Sequence, residues 1–337
     1  MTAITTQHRT VGTHEDALPY LFESQADMGP LATWCEENRP AWEEKLYRHG
    51  AVLFRGFGIE TPELFEGVAQ VVTQNQVAAG GEHVRLGNST KVYTPVPYPA
   101  DQFLQWHNEN SFNPEWPKKI IFCPVVMPEQ GGDTPVVDSR EIYNRLGADF
   151  LAPFEEKGIL YHRTYGLGVG RSWQDIFGTT DASKVEAYCD ANGIEYEWRG
   201  EGLVTRQRRE AVARHSVTGE KVWFAQAQHW HPACLDEDTR DSLEDLYDED
   251  EMPRNCFYGD GEVIEDETME TLCEVYDGLG TYFPWQKGDV MVVDNVLAAH
   301  ARNPYVGERK LLVTVGELTK DYCLGTEGSL QKEAVSV

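Results

Sequence analysis

Basic residues are scarce in this chain. Its 29 lysines and arginines stand against 56 aspartates and glutamates, a formal net charge of −27. Nucleic-acid binding depends on neutralising phosphates with Lys and Arg, so the balance argues against a DNA or RNA partner. It argues equally against docking on anionic membranes. Long apolar runs are missing too. No stretch nears the roughly 20 apolar residues that span a bilayer, and residues 1–20 are polar with no signal-peptide core. The expected location is cytoplasmic. The seven cysteines (Cys35, Cys123, Cys189, Cys234, Cys256, Cys273 and Cys323) are odd in number, scattered, and never arranged as C-x-x-C. That spacing argues against a disulfide framework and a thiolate zinc cage, and leaves reduced thiols as the plain reading. No G-x-G-x-x-G or Walker loop follows an early strand, so a doubly wound nucleotide fold fits poorly. Without a nucleophile elbow or S-x-x-K, covalent acyl chemistry has no support.

The 337 residues carry no internal repeat and no low-complexity linker. They read as a single catalytic domain over 1–337, with loosely held ends at 1–20 and 325–337. Residues 31–75 form N-terminal α/β elements packed on the core. Residues 31–48 read as one helix with Pro40 in a first turn and Gly50 as its stop, and 51–54 as a short strand. Thr61 caps a further helix that has Pro62 at its first position and Leu64, Phe65, Val68 and Val71 at helical spacing. Strands rich in β-branched and aromatic residues are expected at 120–126, 135–138, 158–165, 193–199, 222–226, 288–294 and 310–317. Helices interrupt at about 139–149, 181–191, 235–249 and 265–279. The acidic stretches 236–251 and 260–270 read as solvated faces. The fold class is mainly β with helical decorations, a β-sandwich or jelly roll.

Four motifs carry chemistry. W-H-N-E-N-S-F at 106–112 places His107 and Glu109 on one face of an extended segment, an imidazole beside a carboxylate. D-N-V-L-A-A-H at 294–300 brings His300 after a hydrophobic strand and before a turn. Two histidines and one carboxylate make the facial triad that binds non-haem Fe(II) and leaves the opposite face open. Arg309, nine residues after His300, offers a guanidinium fork to a carboxylate. G-G-D-T at 131–134 makes a tight turn and sets the Thr134 hydroxyl for the same carboxylate.

In this order the motifs resemble the taurine dioxygenase (TauD/TfdA) superfamily, and more closely its amino-acid and peptide-tailoring branch, similar to SyrP-like hydroxylases. The resemblance covers about 30–320 and includes Trp116-Pro117, D-S-R at 138–140, T-G-E-K-V-W-F at 218–224, Y-G-D-G at 258–261 and F-P-W-Q-K-G-D at 283–289. It implies a double-stranded β-helix core, iron on His107, Glu109 and His300, 2-oxoglutarate held by Arg309 and Thr134, and O2 as oxidant. It implies hydroxylation of an amino acid or amino-acid-derived small molecule, free or tethered to a carrier protein in natural-product biosynthesis, with succinate and CO2 released. Desaturation or cyclisation at the same site, a non-catalytic 2-oxoglutarate or metal sensor, and a zinc hydrolase are the rival readings.

Three departures bear on substrate. Glu109 stands where taurine-type members have Asp. Val313 stands where they have a second Arg for the sulfonate, and Ala225 stands where many closer relatives have Asn. Because the carboxylate is present, halogenation is not expected. Around the triad, Arg206 and Arg208, with Arg209 and Arg214, form a basic cluster that either pairs with carboxylates or grips an anionic substrate. Arg163 and Arg302 are weaker candidates, the latter as a brace. Trp106 is a candidate substrate stacker, though packing behind His107 is the plainer role. His229 and His231 are expected as pocket wall rather than ligands, and Asp294 as the residue that orders the turn before His300.

Overall fold

The computed structural model describes residues 9–77, 84–85 (backbone only), 91–95, 97–166, 170–248 and 251–320. The expected loose end at 325–337 and Cys323 lie outside them. Seven strands form the main sheet in the order Tyr20–Glu23, Ala51–Arg55, Val290–Asp294, Trp116–Val126, Lys310–Thr319, Tyr93–Thr94, Val84–Arg85. Its long antiparallel pair is Trp116–Val126 with Lys310–Thr319. The strand Ala51–Arg55 is buried on both faces, which explains its unbroken apolar run. Val52, Phe54, Ile121, Cys123, Val290 and Val292 face the helices Leu31–Glu37, Arg39–His49 and Pro62–Val72. Their alternate neighbours, including Leu53, Phe122 and Met291, face inward with Val136 and Ala298 of a second sheet.

That second sheet has three strands, ordered Leu104–His107, Ala298–Arg302, Val136–Asp138. Two facing sheets with alternating inward residues are a jelly-roll arrangement. Its outer face, through Trp106, Val137, Ala299 and Ala301, packs with the helices Ser139–Lys157 and Asp266–Leu279 and with Ile159 and Tyr161. Those last two belong to a four-stranded sheet ordered Ile194–Arg199, Gly202–Arg209, Ile159–Tyr165, Arg254–Tyr258.

Several expectations change in the structure. The helix over 31–48 is two helices broken at Asn38, since Pro40 lacks the N–H that a continuous helix needs and instead opens the second. Thr61 caps as expected, accepting from the Leu64 N–H at 3.3 Å. The helix from Ser139 runs on to Lys157 through a kink at Gly147, where φ is +77°. The strand expected over 222–226 is Lys221–Trp223, because the Phe224 and Ala225 N–H groups both turn to the Ala211 carbonyl and end the ladder. Residues 9–20 are not loose. Ala17 and Leu18 are fully buried, and Arg9 pairs with Asp138 at 3.0 Å and Glu141 at 2.8 Å. No helix among the described residues is long and apolar enough to cross a membrane.

Candidate metal centre

His107 ends the strand Leu104–His107, and the register sets it directly across from His300. His300 does not follow a strand, as expected from sequence. It sits inside the strand Ala298–Arg302, whose short alanine side chains carry little strand signal. The two imidazole centroids are 4.2 Å apart, and His300 packs 5.0 Å from the Phe122 ring on the main sheet. The chain turns sharply after the first strand, with Asn110 at φ +58°, and Glu109 comes within 4.0 Å of His107 Nε2. One ligand atom each from His107, Glu109 and His300 lies within 4.8 Å of the others.

This donor set fits a divalent ion. Adjacent donors on a bound metal stand about 3 Å apart at bond lengths near 2.1 Å, so separations of up to 4.8 Å close if each donor moves about 1 Å toward a common centre. Burial pushes His107 down to about 4, and the Gln105 carbonyl offsets this only in part. Burial, with the imidazoles of His107 and His229 beside it, also holds His300 well below the usual histidine range. Both rings are thus neutral, as metal ligands must be. Burial lifts Glu109 to about 7, and no Lys or Arg among the described residues pairs with it. The buried Nδ1 of His300 has no hydrogen-bond partner. A half-buried carboxylate without a cation beside two neutral imidazoles is what a metal ion completes.

The surrounding backbone is tied down by residues that sequence reading passed over. His107 Nδ1 and His229 Nε2 both meet the Gln105 carbonyl, at 2.8 and 2.7 Å, which leaves His107 Nε2 facing Glu109. Gln228 donates to the Trp106 carbonyl at 2.5 Å, and Gln226 to the Asn108 carbonyl. Asn295, fully buried, accepts from the Glu109 N–H at 2.6 Å and donates to the Glu109 and Pro117 carbonyls at 2.9 and 2.8 Å. Asn108 donates to the Asn295 carbonyl at 2.7 Å. Asp294 orders the turn as expected, accepting from the Val296 and Leu297 N–H groups at 3.0 Å each, and meets His215 at 3.1 Å. The one available signal was clustering, since Asn108, Asn295, Gln226 and Gln228 are amides within or just beside the recognised motifs.

Arg309 precedes the strand Lys310–Thr319 and reaches back to the G-G-D-T turn. Its Nε donates to the Gly132 carbonyl at 2.8 Å and its Nη2 to Thr134 Oγ1 at 3.2 Å. Gly132 has φ +74°, and a Cβ there would stand 3.0 Å from Arg309 Cδ. Burial, then the nearby Arg302, pushes the Arg309 guanidinium down to about 10, so it stays charged at neutral pH. No carboxylate among the described residues forms an ion pair with it, so the group suits an incoming anion.

Other candidates are placed elsewhere. The Trp106 ring points away from His107, as strand alternation demands. It is buried, donates to Asp277 at 3.1 Å, and packs so closely on Gly280 that a Cβ there would be 2.6 Å away. It is packing, not a stacker of substrate. Arg206 lies 3.6 Å from Glu197, and Arg208 donates to the Lys157 carbonyl at 2.7 Å, so neither joins the triad. On the opposite strand face, Arg209 reaches the Phe112 carbonyl at 3.2 Å. Arg214 donates to the Gly219 carbonyl, and Arg163 lies over the Tyr165 ring at 4.7 Å. Arg302 braces the loop 98–102 through the carbonyls of Tyr98, Pro99 and Gln102. His231 meets the Ile264 carbonyl at 3.0 Å.

Residues 14–315 match the taurine catabolism dioxygenase TauD, TfdA family. The chain belongs to this family. It is an Fe(II)- and 2-oxoglutarate-dependent dioxygenase. Among family relatives, the dapdiamide synthesis protein DdaC of Enterobacter agglomerans is 34% identical over 275 residues, covering 81% of this chain and 84% of its own. A clavaminate synthase-like protein of Arabidopsis thaliana is 28% identical, covering 80% and 82%. Among solved structures, PvcB of Pseudomonas aeruginosa shares the fold at a TM-score of 0.52 and 13% identity, covering 89% of this chain and 86% of its own. PvcB is described as an Fe, α-ketoglutarate dependent oxygenase from an isonitrile synthetic pathway.

Proposed function

We propose that this dioxygenase hydroxylates an unactivated C–H bond of an amino acid or amino-acid-derived metabolite, free or carrier-tethered, in natural-product synthesis. His107, Glu109 and His300 hold the iron, and Arg309 with Thr134 holds the far carboxylate of 2-oxoglutarate. The observation that carries the reading is the pairing of an uncompensated His-Glu-His cluster with a partly buried guanidinium that lacks a carboxylate. When bound, iron would activate O2, the oxidant for C–H cleavage, while 2-oxoglutarate would give up two electrons and leave as succinate and CO2.

The chain's own residues contribute orientation and exclusion. The Gln105 carbonyl fixes which nitrogen of His107 faces the ligand cluster. Asn295 sets the backbone that aims Glu109. Phe122 and the other inward residues of the main sheet keep water from the His300 side. Arg309 gives two-point recognition that a lysine would not.

The substrate class is supported by the 34% identity to a dapdiamide synthesis protein. Val313 adds to this, since it is buried and apolar where a sulfonate-binding arginine would be needed. The net charge of −27 favours a free substrate over an acidic carrier, because like charges slow encounter. The test is turnover with Fe(II), 2-oxoglutarate and O2 against free and carrier-loaded amino acids, following succinate and oxygen insertion together. Succinate coupled to an amino-acid product with one added oxygen supports the proposal. Turnover of 2-oxoglutarate with no oxidised amino-acid product removes the substrate class, and no turnover in any combination removes the reaction.

A further inference from the structure

The short turn Pro232–Cys234 and the helix Asp266–Leu279 each bring a cysteine to their contact. The Cys234 and Cys273 sulfurs stand 3.2 Å apart. Both side chains are partly exposed, whereas Cys35, Cys123, Cys189 and Cys256 are buried. Among the described residues, solvent access and a second sulfur in contact coincide only at this pair. A disulfide sets its sulfurs about 2.05 Å apart, so a movement of about 1 Å closes one. A separation of 39 positions in the sequence hid the pair from any local motif.

We propose that Cys234 and Cys273 are a modification site, a dithiol that hydrogen peroxide converts to a reversible disulfide bracing the metal-centre strand. The Cys273 sulfur attacks one peroxide oxygen, the O–O bond breaks, and a sulfenic acid and water form. The Cys234 sulfur then attacks the sulfenic sulfur, the S–O bond breaks, a second water leaves and the S–S bond forms. Two thiols give up two electrons and two protons, and one peroxide becomes two waters. Contact with Cys273, then burial, holds the Cys234 thiol above the ordinary range, which disfavours it as the thiolate that meets peroxide first. Two-electron reduction of O2 yields peroxide, so a centre that consumes O2 is a local source of the oxidant.

The position of the pair gives the modification a consequence. The Cys234 carbonyl accepts from Gln105 Nε2 at 3.4 Å, and the Gln105 carbonyl is the one that meets His107 and His229. On the other side, Asp277, one helical turn beyond Cys273, takes the Trp106 indole N–H. A Cys234–Cys273 bond fastens together the two supports of the strand Leu104–His107.

The experiment uses the full-length protein, treated with a few equivalents of hydrogen peroxide, alkylated with iodoacetamide, digested without reduction and mapped by mass spectrometry. The expected result is a linked Cys234–Cys273 peptide that disappears with dithiothreitol and is absent from Cys273→Ser. The oxidised protein should melt about 5 °C above the reduced one, the effect of closing a loop of this length in a chain of this size. Recovery of both cysteines alkylated, or as sulfinic or sulfonic acids, at doses that oxidise methionine would overturn the site. A linked peptide with no rise in melting temperature would overturn the bracing.

Discussion

Replacing Asn295 by alanine should loosen the iron without touching a ligand. Its fully buried side chain accepts from the Glu109 N–H at 2.6 Å and donates to the Glu109 carbonyl at 2.9 Å and the Pro117 carbonyl at 2.8 Å. Each such bond contributes about 1 kcal/mol net, so their loss removes about 3 kcal/mol of stability, before any buried N–H left unsatisfied. In a chain of this length that is a melting point lower by about 4 °C. The Glu109 backbone would also gain freedom at the point where it must aim a carboxylate. Losing such an outer support typically weakens metal binding by roughly 10–100-fold. Asn295→Asp isolates the donor half of the contact. It keeps an acceptor for the Glu109 N–H but sets an oxygen against two carbonyls, so it should also bind iron poorly. The assay is anaerobic Fe(II) titration of wild type and both variants beside thermal melts. An iron Kd within twofold of wild type, with only the melting point lowered, would refute the positioning role and leave Asn295 as a folding residue.

Other substitutions separate the parts of the site. Arg309→Ala should raise the 2-oxoglutarate KM at least tenfold while iron affinity is unchanged, because the guanidinium meets Thr134 and not the triad; an unchanged KM would remove Arg309 from the co-substrate site. Gly132→Ala should raise the same KM less steeply, since its methyl would press on Pro128, Arg309 and Tyr305 at a φ of +74°; kinetics equal to wild type would show that the turn yields without moving the arginine. Trp106→Phe should destabilise by about 1–3 kcal/mol through the lost indole hydrogen bond to Asp277 and a partly filled core, with substrate KM unchanged; a raised substrate KM would return Trp106 to the pocket.

The chemistry was more legible in the sequence than the scaffold that aims it. His107 and Glu109 lie two residues apart, and Arg309 and Thr134 each sit in a short motif, so local spacing exposed them. Their assembly depends on pairings across long separations, such as His300 opposite His107 and Glu109 beside Asn295, which no local pattern encodes. The strand Ala298–Arg302 was missed because three alanines carry little β signal, although burial against both sheets makes it a strand. Gly202–Arg209 read as a charge cluster for the opposite reason. Its arginines masked the buried run Leu203-Val204-Thr205, and the partners of Arg206 and Arg208 turned out to be Glu197 and a backbone carbonyl.

The central claim is that iron sits on His107, Glu109 and His300 and takes 2-oxoglutarate beside Arg309. The direct measurement is the visible spectrum of the metal-free protein without oxygen, after Fe(II) and then 2-oxoglutarate, next to His107→Ala. The account predicts a weak charge-transfer band that needs both additions and is lost in the variant. No band in the wild type, with iron shown to be bound, would contradict it.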